Sequence, residues 1–464
     1  MAPDTGGAHP ARSGLRVSWA YSDRFLPRRV VRPLQEFLQT STSGGLLLVA
    51  AALIALVWAN LPGHTYERRW ETRVSVGWNG RGIDEDLRYW VNDGLMALFF
   101  LVVGLEIKRE ILTGELRAIR TAMVPAIAAV GGMVAPALLY VVLNAGGEGG
   151  PGWGIAMPTD IAITLGVLTL AGRTAPPGLK PFALTLAIVD DILTIAVIAV
   201  FYPAELGAAP LVLAGAACLA MFLLRRIHVH ASVVYVALAG VIWVALHASG
   251  VHPALAGVAV GLLTPAVPFQ RPRDVSEEAV RVADETVDDP DPPDADAHWW
   301  LRLSRLTKEA VSPLARLEHA LLPWTSFVIL PLFALANAGV DLSPGALAGA
   351  ATSPVAWGVS AGRLVGKVIG IGGATWLAVR LGIGRLPAGT RVAHVLGVAA
   401  AAGVAFTVSL FVAGLAFPGR ADLVEQAKLG ILASAVIAGP VGVAVLRAAA
   451  RRDALDAGRP VSTR

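Results

Sequence analysis

The chain has 464 residues, 55% of them hydrophobic and 16% charged, where a soluble domain carries about 25% charged residues. Its mean hydropathy is +0.62, and long apolar runs recur from residue 43 to residue 447; this excludes an ordinary soluble globule and points to a polytopic membrane protein. A formal charge of +4 decides little by itself, and a lone cysteine, Cys218, excludes both a disulfide framework and a cysteine-based zinc site.

Residues 1–42 are polar and Arg-rich and run straight into the first apolar stretch, with no pattern of a cleavable signal. Twelve spans are expected, at 43–61, 89–107, 121–143, 152–172, 179–203, 208–224, 231–247, 250–266, 323–340, 353–380, 391–417 and 424–447. A short turn at Ala248–Gly250 separates the seventh from the eighth. Basic residues favour cytoplasmic loops, and here they alternate. Arg24, Arg28, Arg29 and Arg32 precede span 1, Lys108, Arg109, Arg117 and Arg120 follow span 2, and Arg173 and Lys180 follow span 4. Arg225 and Arg226 follow span 6, Arg380, Arg385 and Arg391 follow span 10, and Arg447 closes span 12 ahead of Arg451 and Arg452 in the tail at 448–464. The loops after spans 3, 5 and 9 hold no Lys or Arg. Both termini are therefore expected in the cytoplasm. Between spans 1 and 2, "TRVSVGWNGRGI" (72–83) places Asn79-Gly80 between two β-leaning runs, a hairpin signal. Residues 267–312 are polar and include the acidic block "DETVDDPDPPDADA"; they read as a solvated, partly disordered loop.

Charges inside the apolar runs carry the chemistry. Span 5 reads "ALTLAIVDDILTIAVIAV", with Asp190 and Asp191 ten and eleven residues beyond Lys180 and Glu205 fourteen past Asp191. At about 1.5 Å per residue the pair sits near mid-membrane. A carboxylate at helix centre costs about 2.5–3.5 kcal/mol, so two in a row call for a function. Neighbouring positions on a helix point about 100° apart, so the two carboxyls are expected to face different neighbours.

Span 4 reads "GIAMPTDIAITLG". Pro158 removes a donor and obstructs the preceding turn, so a break is expected at Thr159 and Asp160; the freed backbone at membrane depth needs protein or a watery cavity beside it. Thr159 Oγ1 and nearby carbonyls are hard oxygen donors suited to a small cation. The alternative is a proline kink capped by Thr-Asp. Span 10 carries Lys367 in "AGRLVGKVIGIGG". A buried ammonium needs a partner, and a span-5 aspartate is the expected one; the alternative is a lysine reaching to an interface. Arg363, one turn earlier, is expected to reach an interface or pair structurally. Span 11, "GVAAAAGVAFTVSLFVAGLAF", is rich in small residues, and with Thr407 and Ser409 it suits close packing and a second break.

These stretches resemble the NhaA-type sodium/proton antiporters. The likeness runs in order through "WVNDGLMALFFLVVGLEIKREILTGEL" (90–116), "MPTDIAITLGVL" (157–168), "LAIVDDI" (186–192), "SGVHPALAGVAVG" (249–261), "RLEHALLPWTSFVILPLFALANAGV" (316–340), "GRLVGK" (362–367), "GVAFTVSLFVAGLAF" (403–417) and "AKLGILASAVIAG" (427–439). It covers nearly all of residues 43–447. The resemblance implies an all-α polytopic protein with inverted repeats at about 121–203 and 353–447, whose interrupted spans 4 and 11 cross near mid-membrane. It also implies a long cytoplasmic loop at 267–322, and an extracytoplasmic hairpin at 72–83 that makes a homodimer contact.

The same resemblance implies a secondary transporter, not an enzyme, in a bacterial cytoplasmic membrane. It would export Na+, and Li+ with it, against more than one proton per cycle, electrogenically and by alternating access. Na+, Li+, H+ and the lipid bilayer are its expected partners; no cofactor and no nucleic acid are expected. Asp191 would bind Na+ or a proton, Asp190 would pair with Lys367 in one state and release it in another, and Thr159 would add an oxygen ligand. Asp160 would balance positive helix ends and Lys367 negative ones. Glu106, Arg109, Glu110, Arg316, Glu318 and His319 match a cytoplasmic cluster tied to pH activation, and His252 a further pH-linked position. Ala315 and Leu322 depart from the better-known pattern, which has a basic residue and a histidine there. An ordinary ion-pair face and a packing histidine are the alternative readings. The doubled aspartates and Lys367, with no GxGD motif, disfavour an intramembrane aspartyl protease; saturable exchange without single-channel current would separate a carrier from a cation channel.

Overall fold

A computed structural model describes residues 41–78, 81–172, 176–203, 206–227, 232–287, 293–456 and 458. The N-terminal arginines, the Asn79-Gly80 turn, Arg173, Glu205 and part of the acidic block lie outside these residues. The described chain is mostly helical, with one two-stranded sheet.

In order come α1 (Ser41–Ala59), α2 (Thr65–Trp70), β1 (Arg73–Trp78) and β2 (Arg81–Asp86), then a π-helical turn Trp90–Leu95 that leads into α3 (Met96–Leu112). Next are α4 (Ile119–Leu143), a 3-10 segment Gly150–Ala156, α5 (Ile161–Leu170), α6 (Leu179–Phe201), α7 (Ala208–Arg226), α8 (Ser232–Ser249) and α9 (Leu255–Leu263). The second half runs α10 (Pro272–Val287), α11 (Pro293–Glu309), α12 (Pro313–Trp324), α13 (Leu330–Asn337), α14 (Pro344–Thr352), α15 (Pro354–Ala361), α16 (Lys367–Arg380), α17 (Val392–Ala402), α18 (Thr407–Ala416) and α19 (Ala421–Asp456).

Helix falls within each of the twelve expected segments. Among the described residues, five helices are long and apolar enough by themselves to cross a membrane, and two bent pairs raise the number to seven. The eighth segment is shorter than expected: α9 has nine residues, preceded by a turn from Gly250, where φ is +76°. The loop at 267–312 differs most from its sequence reading. Two helices, α10 and α11, build it, because apolar Val275 and Val282 recur at helical spacing and are buried.

β1 and β2 pair antiparallel, Ser75 opposite Asp84 and Val76 opposite Ile83. The strands alternate faces, so Val74 and Val76 share one side, and both are exposed.

Small residues set the helix spacing that positions the interior. A Cβ at Gly370 of α16 would lie 2.1 Å from Gly131 O of α4, and one at Gly257 of α9 would lie 1.9 Å from Ala97 O of α3. Only glycine permits such contact, and in lipid this packing replaces the hydrophobic drive that water supplies elsewhere. At one end of the bundle the knit is polar. Asn60 donates to Val340 O and accepts from Leu342 N, and Tyr66 OH donates to Leu335 O and accepts from Gly339 N.

Candidate functional site

Two chain breaks define the site. The 3-10 segment Gly150–Ala156 and α5 meet at 44° across residues 157–160, and α17 and α18 meet at 55° across residues 403–406. The first break follows from Pro158. The second falls at Gly403–Phe406, directly after the buried run of alanines that ends α17. Each break leaves backbone donors at the N-terminus of the helix that follows.

Asp160 joins the two. It caps α5, accepting from Ile163 N at 3.3 Å, and its other oxygen accepts from Thr407 Oγ1, the first residue of α18, at 3.2 Å. One buried carboxylate thus sits at two helix N-termini, each carrying roughly half a positive charge.

On α6 the paired aspartates diverge. Asp190 is buried against Lys367 of α16, with Lys367 Nζ 3.5 Å from Oδ1, while its Oδ2 has no hydrogen-bond partner among the described residues. Lys367 Nζ also donates to Thr159 Oγ1 at 2.8 Å. Asp191 faces the other way. It lines a cavity of 410 Å³ with Thr159, Asp160, Thr407, Glu106 and Arg109. The rest of the wall is mostly apolar, with Thr169, Thr325 and Ser326 adding hydroxyls, and comes chiefly from α3, α5, α6 and the segment 322–330. Among the described residues no three acidic, histidine or cysteine side chains converge as a metal cage. A cation in this cavity would meet Asp191, then hydroxyl and backbone oxygens. Thr159 has a dual placement: it lines the cavity, and its hydroxyl is engaged by Lys367.

The structure overturns the first of the two sequence readings of Arg363. It reaches no interface: it is 0% exposed, in a π-helical turn Gly362–Gly366, and none of its three side-chain nitrogens has a hydrogen-bond partner among the described residues. The adjacent Gly362 packs closely on Pro136 and Ala156. Asp160 is the acid whose charge acts on it.

The residues matched to a pH-linked cluster divide. Arg109 is paired with Glu318 of α12 and lies 3.6 Å from Glu110, which accepts from Glu115 N. Glu106, one turn before Arg109 and Glu110, lies on the cavity wall. Arg316 and His319 are exposed, and their side chains make no ion pair or hydrogen bond among the described residues. His252 is elsewhere: its Nε2 lies 3.0 Å from Asp93 Oδ1, and its ring meets Phe411 edge-on at 4.7 Å. Asp93 was not singled out from the sequence. Its signal was a carboxylate inside the second apolar run, and a π-helical turn places it beside His252.

The family model described as Na+/H+ antiporter 1 matches residues 35–446. Na(+)/H(+) antiporter NhaA 3 of Frankia alni is 45% identical over 95% of this chain and 92% of its own length. Na(+)/H(+) antiporter NhaA of Anaeromyxobacter sp. is 42% identical over 90% and 92%, and that of Sulfurimonas denitrificans 40% identical over 90% and 96%.

Proposed function

We propose a mechanism for this chain on the ground that it belongs to the Na+/H+ antiporter 1 family. It is a multi-pass membrane transporter and not an enzyme, and its reaction is the exchange of Na+ for H+.

In the proposed cycle Asp191 takes either Na+ or a proton from the cavity. The observation that carries this is the division of labour on α6: Asp191 lines the cavity, while Asp190 is turned away to Lys367. Because ion and proton compete for one carboxylate, each displaces the other. Na+ drawn toward Asp191 and Asp190 would loosen the hold on Lys367, and Thr159, released from the ammonium, would offer its oxygen to the ion. Asp160 keeps two helix N-termini together throughout, so the crossing survives while the site is exposed to one side and then the other.

The remaining readings belong to the same proposal. Twelve spans with both termini inside a bacterial cytoplasmic membrane rest on the alternation of Lys and Arg. The inverted repeats at about 121–203 and 353–447 rest on the matching breaks, one in each half. Export of Li+ alongside Na+, an electrogenic ratio and a pH response rest on family likeness, with Arg109, Glu110 and Glu318 the best-connected candidates for the last. A dimer contact through residues 72–83 is supported by the exposed side of Val74 and Val76.

The test is collapse of an imposed ΔpH in everted vesicles, with Na+, Li+ and K+ added separately at several pH values. Wild type is expected to respond to Na+ and Li+ and not to K+, and Asp191→Asn, inserted normally, to none. Full Na+ response in Asp191→Asn would remove Asp191 from the mechanism. A K+ response equal to that with Na+ would overturn the ion assignment.

A further inference from the structure

We propose that the helical hairpin α10–α11 is a lipid-surface element, with the outer face of α11 resting on the anionic headgroups of the leaflet into which α12 descends. The hairpin departs just after α9 and returns at α12, and its two ends are pinned together. The Phe269 and Gln270 N–H groups both donate to Glu309 O, at 3.0 and 3.1 Å, and Leu314 N donates to Pro265 O at 3.0 Å. Three residues, Ala310–Ser312, separate α11 from α12. They reach about 10 Å at most. Helix α12 opens the apolar segment Pro313–Asn337, one of the five long enough to cross a membrane. The last turns of α11 are therefore held on the side of the bundle from which this segment enters, ahead of the apolar stretch at 323–340.

The two helices of the hairpin are chemically unlike. On α10, Asp274 is an exposed carboxylate, Glu277 pairs with Arg273 at 3.0 Å, and Glu278 is held by Arg281 at 2.7 Å and by Arg302 of α11 at 3.5 Å. On α11, Leu303 and Leu306 are half-buried, while Trp300 is 50% and Leu301 64% exposed. Ser304, Arg305 and Lys308 are exposed too. At about 100° per residue these five fall within one arc of roughly 140°. The arc joins an aromatic and an aliphatic side chain to two cations one and two turns further on. In water it strands Trp300 and Leu301; within hydrocarbon it strands Arg305 and Lys308. The headgroup boundary alone satisfies both sets. Anionic lipid attracts this face, whereas Arg273 and Arg281 of α10 are already paired to Glu277 and Glu278 and Asp274 is repelled, so the charges orient the hairpin with α11 inward. The apolar exposure continues down the chain through Val311, Leu317 and Trp324, along the segment that enters the bilayer.

The inference stands apart from ion exchange, and so does its test. Cys218→Ser removes the native thiol, and Ser304→Cys places a nitroxide on the outer face of α11. The full chain is reconstituted in phosphatidylcholine vesicles with or without roughly one-third phosphatidylglycerol. Collision of the label with a water-soluble nickel chelate should fall several-fold when phosphatidylglycerol is present. High salt should reverse that protection without any further substitution. Arg305→Gln/Lys308→Gln should abolish it. Equal collision rates with and without the anionic lipid would overturn the proposal. So would protection that persists in high salt and in phosphatidylcholine alone, since a protein surface would then be covering the helix.

Discussion

Lys367 Nζ donates to Thr159 Oγ1 across 2.8 Å, so the ammonium on α16 is tied to the broken stretch before α5 as well as to Asp190 on α6. Lys367 and Asp190 are each 1% exposed at the side chain. Neither charge can turn to water if the other is lost. Lys367→Ala is therefore expected to lower stability by on the order of 3–5 kcal/mol, the scale for removing one member of a buried pair. Protonation of Asp190 would reduce that cost. Thermal unfolding in detergent measures it, and a melting temperature equal to wild type would exclude a structural pairing. Thr159→Val removes one acceptor and keeps the shape, so it should cost less, about 1–2 kcal/mol.

Asp160 and Arg363 should prove to be coupled. Asp160 offsets two helix N-termini and is the acid acting on Arg363, whose own nitrogens have no partner among the described residues. Asp160→Asn keeps the volume and removes the charge, at roughly 1–2 kcal/mol for each buried helix end. It also leaves Arg363 uncompensated. Arg363→Met removes that buried cation, so the double variant should recover part of the Asp160→Asn loss. Unfolding midpoints of the four proteins form the cycle. Strictly additive losses would show that the two do not interact.

The hairpin should be insensitive to pH over the range in which the transporter works. Asp84 accepts from Ser75 Oγ at 2.5 Å and from Arg73 at 3.1 Å, and these bonds hold its carboxyl below its ordinary range. A depressed pKa in the folded state contributes stability that is present above the ordinary value and is lost as pH falls through the depressed one. Nothing of it changes near neutral or mildly alkaline pH. A dimer built on Val74 and Val76 should thus keep the same mass distribution there, and Val76→Lys should shift it to monomer. Mass photometry across pH checks both; a dimer that dissolves between neutral and alkaline pH would point to another interface.

How far the sequence could be read depends on how local the cause is. Pro158 breaks its helix through its own ring, so the interruption at Asp160 was legible. The divergence of Asp190 and Asp191 follows from helix geometry alone. The alternation of basic residues is a signal of the same local kind, because membrane charge acts on each loop separately. For Arg363 the interface reading fails, because full burial is set by tertiary packing around the turn Gly362–Gly366, which has no local sign in the sequence. The helices of residues 267–312 were hidden by composition. Their acidic residues read as solvated chain, while Val275 and Val282 supply the apolar stripe that orders α10. His252 was visible as a polar residue in an apolar stretch, but its partner Asp93 lies on a different helix, and pairing across helices is not written in either segment.

Ion and proton compete for Asp191 in the proposed mechanism, and the competition has a signed consequence. A proton on Asp191 excludes Na+, and Na+ on Asp191 excludes the proton. The apparent Na+ dissociation constant should therefore fall as pH rises, by up to about tenfold per pH unit for each proton displaced, and level off once the site is deprotonated. The same linkage requires that Na+ binding release protons over that range and none above it. Asp190, Asp191 and Lys367 lie on adjoining surfaces, so the measured midpoints belong to the set and not to one residue. Isothermal titration of the purified protein with Na+ at several pH values, in buffers of different ionisation enthalpy, gives affinity and proton release together. Asp191→Asn should show neither. Lys367→Ala should keep competition at Asp191 with a displaced midpoint, because it removes a neighbouring charge and not the binding carboxylate. An Na+ affinity that does not vary with pH, or binding without proton release, would mean that ion and proton use separate sites, and direct displacement at Asp191 would have to be abandoned.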